Sequence, residues 1–445
     1  DQSVRSELSS LRDRAAPFAK YGVFTYLRMA GLFVGSTTAS TAPFRIAEVD
    51  ECLGSASIKQ AHRATTTNGE LAVVKVPRPT IDKNYQEDLA VLRRVMDALR
   101  NQGVDVPEHL LPEVADACEA EFDFGVEAAA QNDIETALHR RKATVRLGNE
   151  SIRLNAPKLA FMLRKGEGNV KNLQLMIDEY VPGLNLGEVE EYQRLKVLKE
   201  TDPTQLARLE SLHRKIEQIY GEQFPQAEAF YKSCPIEDLR AQLGIDLMVQ
   251  IAIDGTFHAD SHAGNLLIDA APKKERVAFI DFGSVGRSVE VLPEGVRDHR
   301  PAFRDFLRGL ILLKVGFGDP EGMGKTINEY VEFEGGTPEF WKERVQELAS
   351  KHAEVGSFFK GLLGEMLSRK AKINRQFKFL LKAMAAGGSH FDALSKTLTR
   401  GFQSAMVRSM SEGKPIGEIL FEDPVLRGLK PFVESDPALK GMLGL

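Results

Sequence analysis

The sequence predicts an α+β protein of two lobes. The N-terminal lobe is β-rich with a helical insert, the C-terminal lobe is mainly helical, and a helical extension precedes both. Three observations predict this. From Phe44 to Val76, strand-like apolar runs are joined through Asn68–Gly69, a strong hairpin signal. From Asn84 to Arg141 the apolar residues recur with the helical period. Beyond Gly183 that period dominates most of the remaining chain.

Residues 1–42 form the extension, which ends in the small polar run "GSTTASTAP", a linker. The N-lobe spans 43–182. Its first strands lie around Phe44–Val49 and Ile58–Ala64, and "ELAVVKV" follows the turn. Side chains alternate along a strand, so Leu71, Val73 and Lys75 share one face, and Pro77 and Pro79 close it. Residues 83–140 are helical, with a break at Pro107–Pro112. Strand signals return at Ala143–Leu154, Lys158–Leu163 and "NLQLMIDEYVPG", whose last residues join the lobes as a hinge with a ligand cleft beside it. The C-lobe, 183–400, reads as helices at about 186–220, 223–254, 300–334 and 337–400. Only short strands at Leu266–Ile268 and Val277–Ile280 interrupt it. The proline-punctuated tail, 401–445, wraps the C-lobe.

The 445 residues are enough for two or three cores, and 43% apolar with 27% charged residues is ordinary globular composition. A net charge of −5 gives no general attraction to nucleic acid. Three dispersed cysteines, Cys52, Cys118 and Cys234, argue against a disulfide framework or cysteine–zinc site and suit a reducing, cytoplasmic setting. No apolar run is long enough for a spanning helix or fits a signal peptide. The segment Tyr21–Gly35, which carries Arg28, reads as a helix packed on the protein itself. The alternative is a surface that touches a membrane peripherally, or a partner.

The chemistry concentrates in "GTFHADSHAGNLLID", Gly255–Asp269. Asp260 and Asn265 precede the apolar run "LLID", and Asp281 follows "VAFI" in an acidic "DFG" turn. A hairpin between them would bring an amide oxygen and a carboxylate together, a donor pair suited to Mg²⁺ that also holds phosphate oxygens. Asp260 would face an acceptor hydroxyl, the arrangement of phosphoryl-transfer enzymes. A zinc site competes through His258 and His262, four residues apart, but no glutamate lies between them as in HExxH, and glycines bracket the stretch. The histidines are read as loop architecture.

Phosphoryl transfer also asks for a strand lysine held by a helix carboxylate. Lys75 fits the first; Glu121, Asp123 and Glu127 are candidates for the second. Ahead of Lys75, Gly54, Ser55, Ala56 and Ser57 form a small-residue turn able to offer backbone N–H groups to phosphate.

Together "GSASIKQAHRA", "VVKV", "EFDFGVEAA", "HADSHAGNLL" and "IDFG" resemble, in order and spacing, the UbiB family of atypical kinase-like proteins (the ABC-one/AarF group) over roughly Phe44–Gly286. The resemblance implies a protein-kinase-like fold that binds ATP or ADP with Mg²⁺, acts as a kinase or ATPase, and is linked to isoprenoid-lipid and ubiquinone metabolism. It implies that Lys75 holds phosphates, Glu121 pairs with Lys75, and Glu127 stands in the family's second acidic position. It further implies that Asp260 is the catalytic-loop acid, that Asn265 and Asp281 bind Mg²⁺, and that the backbone of Glu179–Val181 meets adenine. The acceptor, whether protein, lipid or small molecule, is not named by the sequence. Three features depart from the family pattern: no N-terminal KxGQ motif, Lys59 where the family has glycine, and no C-terminal membrane helices. Two other readings stand beside this one, a small-molecule phosphotransferase of the aminoglycoside or choline kinase type and a nucleotide-binding pseudokinase scaffold.

Overall fold

A computed structural model describes residues 18, 20–37, 40–55, 58–79, 81–102, 111–112, 115, 122–164, 173–197, 202–314, 316 and 318–445. The chain divides into two compact units, residues 1–132 with 157–181, and residues 133–156 with 182–445. The first part of the chain runs α1 (Lys20–Met29), β1 (Ile46–Ser55), β2 (Lys59–Thr66), β3 (Leu71–Pro77), α2 (Ile81–Asn101), α3 (Phe124–Arg140), β4 (Thr144–Leu147), β5 (Glu150–Asn155), β6 (Leu159–Leu163) and β7 (Leu175–Glu179).

In the first unit a five-stranded sheet has the order β1-β2-β3-β7-β6. Asn68–Gly69 turns β2 into β3 as expected, with Gly69 at φ +80° and Thr65 opposite Leu71. Ala72, Val74 and Val76 point into a core with Ile46, Val49, Ala64 and Ile177. Val23 and Leu27 of α1, and Leu32 after it, are fully buried in that core. The apolar face of Tyr21–Gly35 is therefore covered by the protein's own sheet, and Tyr21, Met29 and Val34 stay exposed.

The second unit continues with β8 (Leu184–Asn185), α4 (Leu186–Val197), α5 (Pro203–Tyr220), α6 (Phe224–Ser233), α7 (Ile236–Val249), β9 (Thr256–His258), β10 (Leu266–Asp269), β11 (Arg276–Phe279), β12 (Val285–Arg287), β13 (Val289–Leu292) and β14 (Gly295–Asp298). Helices α8 (Arg300–Lys314), α9 (Pro320–Tyr330), α10 (Pro338–Lys351), α11 (Val355–Ser368), α12 (Arg375–Ala386) and α13 (Gly388–Glu412) follow, and three short α-helices and a 3-10 helix close the chain. Phe303, Phe306, Trp341, Phe358, Phe359 and Phe377 anchor the core. Leu420, Leu426, Leu429 and Phe432 of the tail join the same core.

Two boundaries differ from the sequence reading. Residues 133–156, assigned to the N-lobe, pack in the second unit, where β5 pairs in parallel with β11 in the sheet order β4-β5-β11-β10-β8. Such a pairing is nonlocal and leaves no mark in the local sequence. The proposed tail start at 401 falls inside α13, which runs on to Glu412 and ends at Gly413 with φ +70°. The strands β9, β12, β13 and β14 were not foreseen, because runs of three or four residues carry too few positions to show a period.

Candidate active site

In the first unit, strand alternation places Lys59, Ala61, Val73 and Lys75 on one face of the sheet, with Ala61 opposite Lys75. Glu127 lies in the first turn of α3. Lys75 Nζ is 2.8 Å from Glu127 Oε1 and 3.0 Å from Asp178 Oδ2. Lys59 Nζ is 2.7 Å from Glu127 Oε2, so two lysines share one carboxylate. Both acids are 2% exposed. Burial pushes the Asp178 carboxyl up from its ordinary value, and the Lys75 ammonium opposes that rise. Gln131 Nε2 donates to Asp178 Oδ1 at 2.9 Å, which orients the carboxylate.

Glu127, which the resemblance had placed in another role, thus holds Lys75 together with Asp178; Glu121, the partner that the resemblance implies, lies outside the described residues. Ala56 and Ser57 also lie outside them. Gly54 and Ser55 end β1, and Ser55 Oγ accepts a 2.7 Å hydrogen bond from Arg78 Nη2. Glu179 ends β7, and its backbone N–H donates to the Lys158 carbonyl at 2.9 Å. Val181 follows it and is buried.

In the second unit one hairpin gathers the acidic loop residues. β10 and β11 pair antiparallel, Leu266 opposite Phe279, and the Ile280 N–H continues the ladder to the Asn265 carbonyl at 2.9 Å. Asn265 and Asp281 therefore leave the hairpin from the same end. Asn265 Nδ2 donates to the Asp260 carbonyl at 3.0 Å. That bond commits the amide nitrogen and leaves Oδ1 as the acceptor. Asp281 holds φ +58°, an uncommon conformation for a residue other than glycine, and one that concentrates at functional sites. Its Oδ1 accepts from Gly283 N at 3.3 Å. An amide oxygen and a carboxylate are hard donors, and Mg²⁺ often takes only such a pair from protein when phosphates supply the rest. The donor set fits that ion.

His258 is fully buried, and burial lowers its pKa. Its Nδ1 accepts from Asp260 N at 3.1 Å, and Nε2 lies 3.0 Å from the Ile280 carbonyl. Nε2 therefore carries the proton, and the neutral ring fastens the Asp260 loop to the strand before Asp281. Both nitrogens are engaged, which is the loop role expected for it and not that of a zinc ligand. His262 Nδ1 accepts from Gly264 N at 3.0 Å and closes the turn before Asn265.

Two residues near this loop escaped the sequence reading. Lys382 of α12 reaches Asp260 Oδ2 at 3.3 Å. His390 of α13 is fully buried, and its Nε2 lies 2.8 Å from the Ser261 carbonyl. Burial and nearby Arg240 lower the pKa of His390 to about 4. An unfolded chain protonates this histidine below 6.5, whereas the folded chain resists down to about 4. The unfolded state then binds more protons, so the stability contributed above pH 6.5 is lost as pH falls toward 4. At 1.36 kcal/mol per unit, the loss from this group reaches roughly 3 kcal/mol. Urea unfolding between pH 7 and 4 should show that decline, and His390→Gln should flatten it. An unchanged slope in the variant would assign the acid sensitivity elsewhere.

A strand lysine on a helix carboxylate, together with a loop carrying Asp, Asn and a turn Asp, defines an atypical kinase-like protein of the α+β class. Residues 44–294, more than half of the chain, match the model of the ABC1 atypical kinase-like domain, and the chain belongs to that family. It is 27% identical over 285 residues to the probable protein kinase UbiB of Marinobacter nauticus, covering 64% of this chain and 42% of that protein. It is 28% identical over 241 residues to an uncharacterized protein of Synechocystis, covering 53% of this chain and 47% of the relative. The chain thus spans less than half the length of these curated relatives. Among solved structures it is similar to Rv3197 of Mycobacterium tuberculosis, determined in complex with erythromycin, at 17% identity and TM-score 0.46, covering 88% of this chain and 83% of that one. No helix among the described residues is long and apolar enough to cross a membrane.

Proposed function

We propose that the protein binds ATP with Mg²⁺ and transfers the γ-phosphoryl group to a hydroxyl acceptor or to water. The observation that carries this reading is the convergence of Asp260, Asn265 and Asp281 through the β10–β11 hairpin, with Asn265 bonded to both the Ile280 N–H and the Asp260 carbonyl. Lys75, fixed between Glu127 and Asp178, holds the α- and β-phosphates. Gly54 and Ser55, at the end of β1, cover them, and the segment Glu179–Val181 meets adenine. Asn265 and Asp281 hold Mg²⁺, which when bound neutralises charge on the phosphate oxygens. Asp260 orients the acceptor hydroxyl and takes its proton. The family resemblance supports an isoprenoid-lipid setting for this activity.

Thermal melting with ATP, with and without Mg²⁺, tests the binding. Phosphate release and transfer measured against proteins, isoprenoid lipids and small alcohols tests the acceptor. The expected result is a Mg²⁺-dependent shift together with a response to lipid or protein. Transfer to a small alcohol, with no response to either, would replace this reading by a small-molecule phosphotransferase.

A further inference from the structure

Lys382 belongs to none of the motifs that define the loop, yet its ammonium bonds to the loop. Nζ is 3.3 Å from Asp260 Oδ2 and donates to Ser284 Oγ at 2.9 Å. Ser284 stands three residues beyond Asp281, and its carbonyl accepts from Ala259 N at 3.0 Å. One lysine therefore touches both the segment bearing Asp260 and the segment following Asp281.

The helix that carries it is rigidly placed. Asn374 caps α12 by accepting from Gln376 N and Phe377 N. Phe377, Leu380, Ala383 and Met384 are fully buried. Gln376 fastens α12 to the strands after the acidic turn: its Oε1 accepts from Arg287 N at 2.7 Å, and its Nε2 donates to Glu290 Oε1 at 2.7 Å. Lys382 itself is 39% exposed and Asp260 33% exposed, so both remain open to a ligand. An ammonium has three N–H donors, and Asp260 and Ser284 take two.

We infer that Lys382 is a catalytic residue that contacts the transferred phosphoryl group and, by leaving Asp260, frees that carboxylate for the acceptor. This rests on the Mg²⁺–ATP reading above. A γ-phosphoryl group carries negative charge, and it would arrive beside the carboxylates of Asp260 and Asp281. A cation is needed there in addition to any held by Asn265 and Asp281, and among the described residues Lys382 is the basic side chain paired with Asp260. In the transfer, a bond forms between the acceptor oxygen and Pγ. The bond from Pγ to the β–γ bridging oxygen breaks, and ADP departs with that electron pair. The acceptor proton passes to Asp260. The Lys382 ammonium keeps its protons and donates to an equatorial oxygen of the phosphoryl group, whose charge it stabilises most in the transition state.

The test compares Lys382→Met and Lys382→Arg with the parent protein. Mg²⁺–ATP affinity is read by thermal shift, turnover by phosphate release, and transition-state affinity by binding of Mg²⁺–ADP with and without aluminium fluoride. Lys382→Met is expected to lower turnover about 100-fold, the scale for losing one transition-state donor. It should keep ATP affinity within about threefold and lose the extra affinity that aluminium fluoride gives the ADP complex. Lys382→Arg should restore part of both. Equal turnover in Lys382→Met, or an equal loss of ATP and ADP–fluoride affinity, makes the lysine a structural tether and overturns the inference alone. A parent that binds ADP without any gain from aluminium fluoride also overturns it. A parent that does not bind Mg²⁺–ATP at all overturns the functional reading and this inference with it.

Discussion

Asp281→Asn is expected to remove the Mg²⁺-dependent part of nucleotide binding and to slow phosphate release by about 10³-fold. The magnitude follows from the metal's contribution to transition-state charge, several kcal/mol, at 1.36 kcal/mol per decade of rate. The substitution suits this question because it removes the charge and keeps the shape of the side chain. Asparagine has nearly the shape of aspartate, and its Oδ1 can still accept from Gly283 N. It is also among the few residues that tolerate the left-handed backbone found at Asp281, φ +58°. The unliganded variant should therefore unfold within about 0.5 kcal/mol of the parent. What it loses is the negative charge that a hard cation needs. The measurement is a pair of melting curves with ATP, one with Mg²⁺ and one with chelator. The parent should show a gap between them and the variant none. A variant that keeps the full gap would falsify the assignment of Asp281 as a metal ligand.

The ease of placing Asp281 contrasts with the residues that pair around Lys75. The Asp260–Asn265–Asp281 set was legible because a single hairpin brings its members together, and both the turn and the strands leave local marks. The face of Lys75 was legible from strand alternation. Glu127 was only one of several candidates to pair with that lysine, and Asp178 was not among them. Several acids crowd that part of the sequence, and whether Glu127 meets Lys75 depends on how α3 docks on the sheet. Phe124 and Ala128 settle the docking by packing with Met176, the residue opposite Lys75, and this puts Glu127 over the lysine. Asp178 was hidden for a related reason. It reads as one acid in an apolar strand, and only the pairing of β7 with β3 sets it near Lys75. Lys382 is farther still, 98 residues beyond the serine it bonds, and a lone lysine on an amphipathic helix reads as solvated surface. The second unit's annexation of residues 133–156 has the same origin. Local periodicity reports which face of an element is apolar, not which distant element will cover it.

Gly183→Ala is expected to destabilise the second unit by about 4 kcal/mol, from two causes that add. The first is backbone conformation: Gly183 holds φ +129°, a region L side chains rarely adopt and one that costs on the order of 1–3 kcal/mol. The second is overlap. A Cβ on Gly183 would stand 2.1 Å from the Ile268 carbonyl oxygen and 2.8 Å from its carbon. Those atoms have little freedom to move. Ile268 is fully buried and pairs with Leu184 and Val277, and its carbonyl accepts from the Tyr231 hydroxyl at 2.7 Å. Relief would have to pull β10 from its neighbours, a strain comparable to overpacking a core, about 1–3 kcal/mol. Gly69→Ala separates the two causes. Gly69 has φ +80° with nothing within 4 Å of its added Cβ, so it bears the conformational cost without the overlap. Urea unfolding should therefore rank Gly183→Ala well below Gly69→Ala. The glycine that reads in sequence as a flexible joint is then one that lets two backbones touch. The consequence for the site follows from connectivity, because β10 leads directly out of Asn265. The variant should lose stability while its folded fraction still binds Mg²⁺–ATP, the reverse of Asp281→Asn, which should keep its stability and lose the ion. Equal stability of the Gly183 and Gly69 variants would mean that the Ile268 carbonyl does not lie against Gly183, and the pairing of β8 with β10 would have to be redrawn.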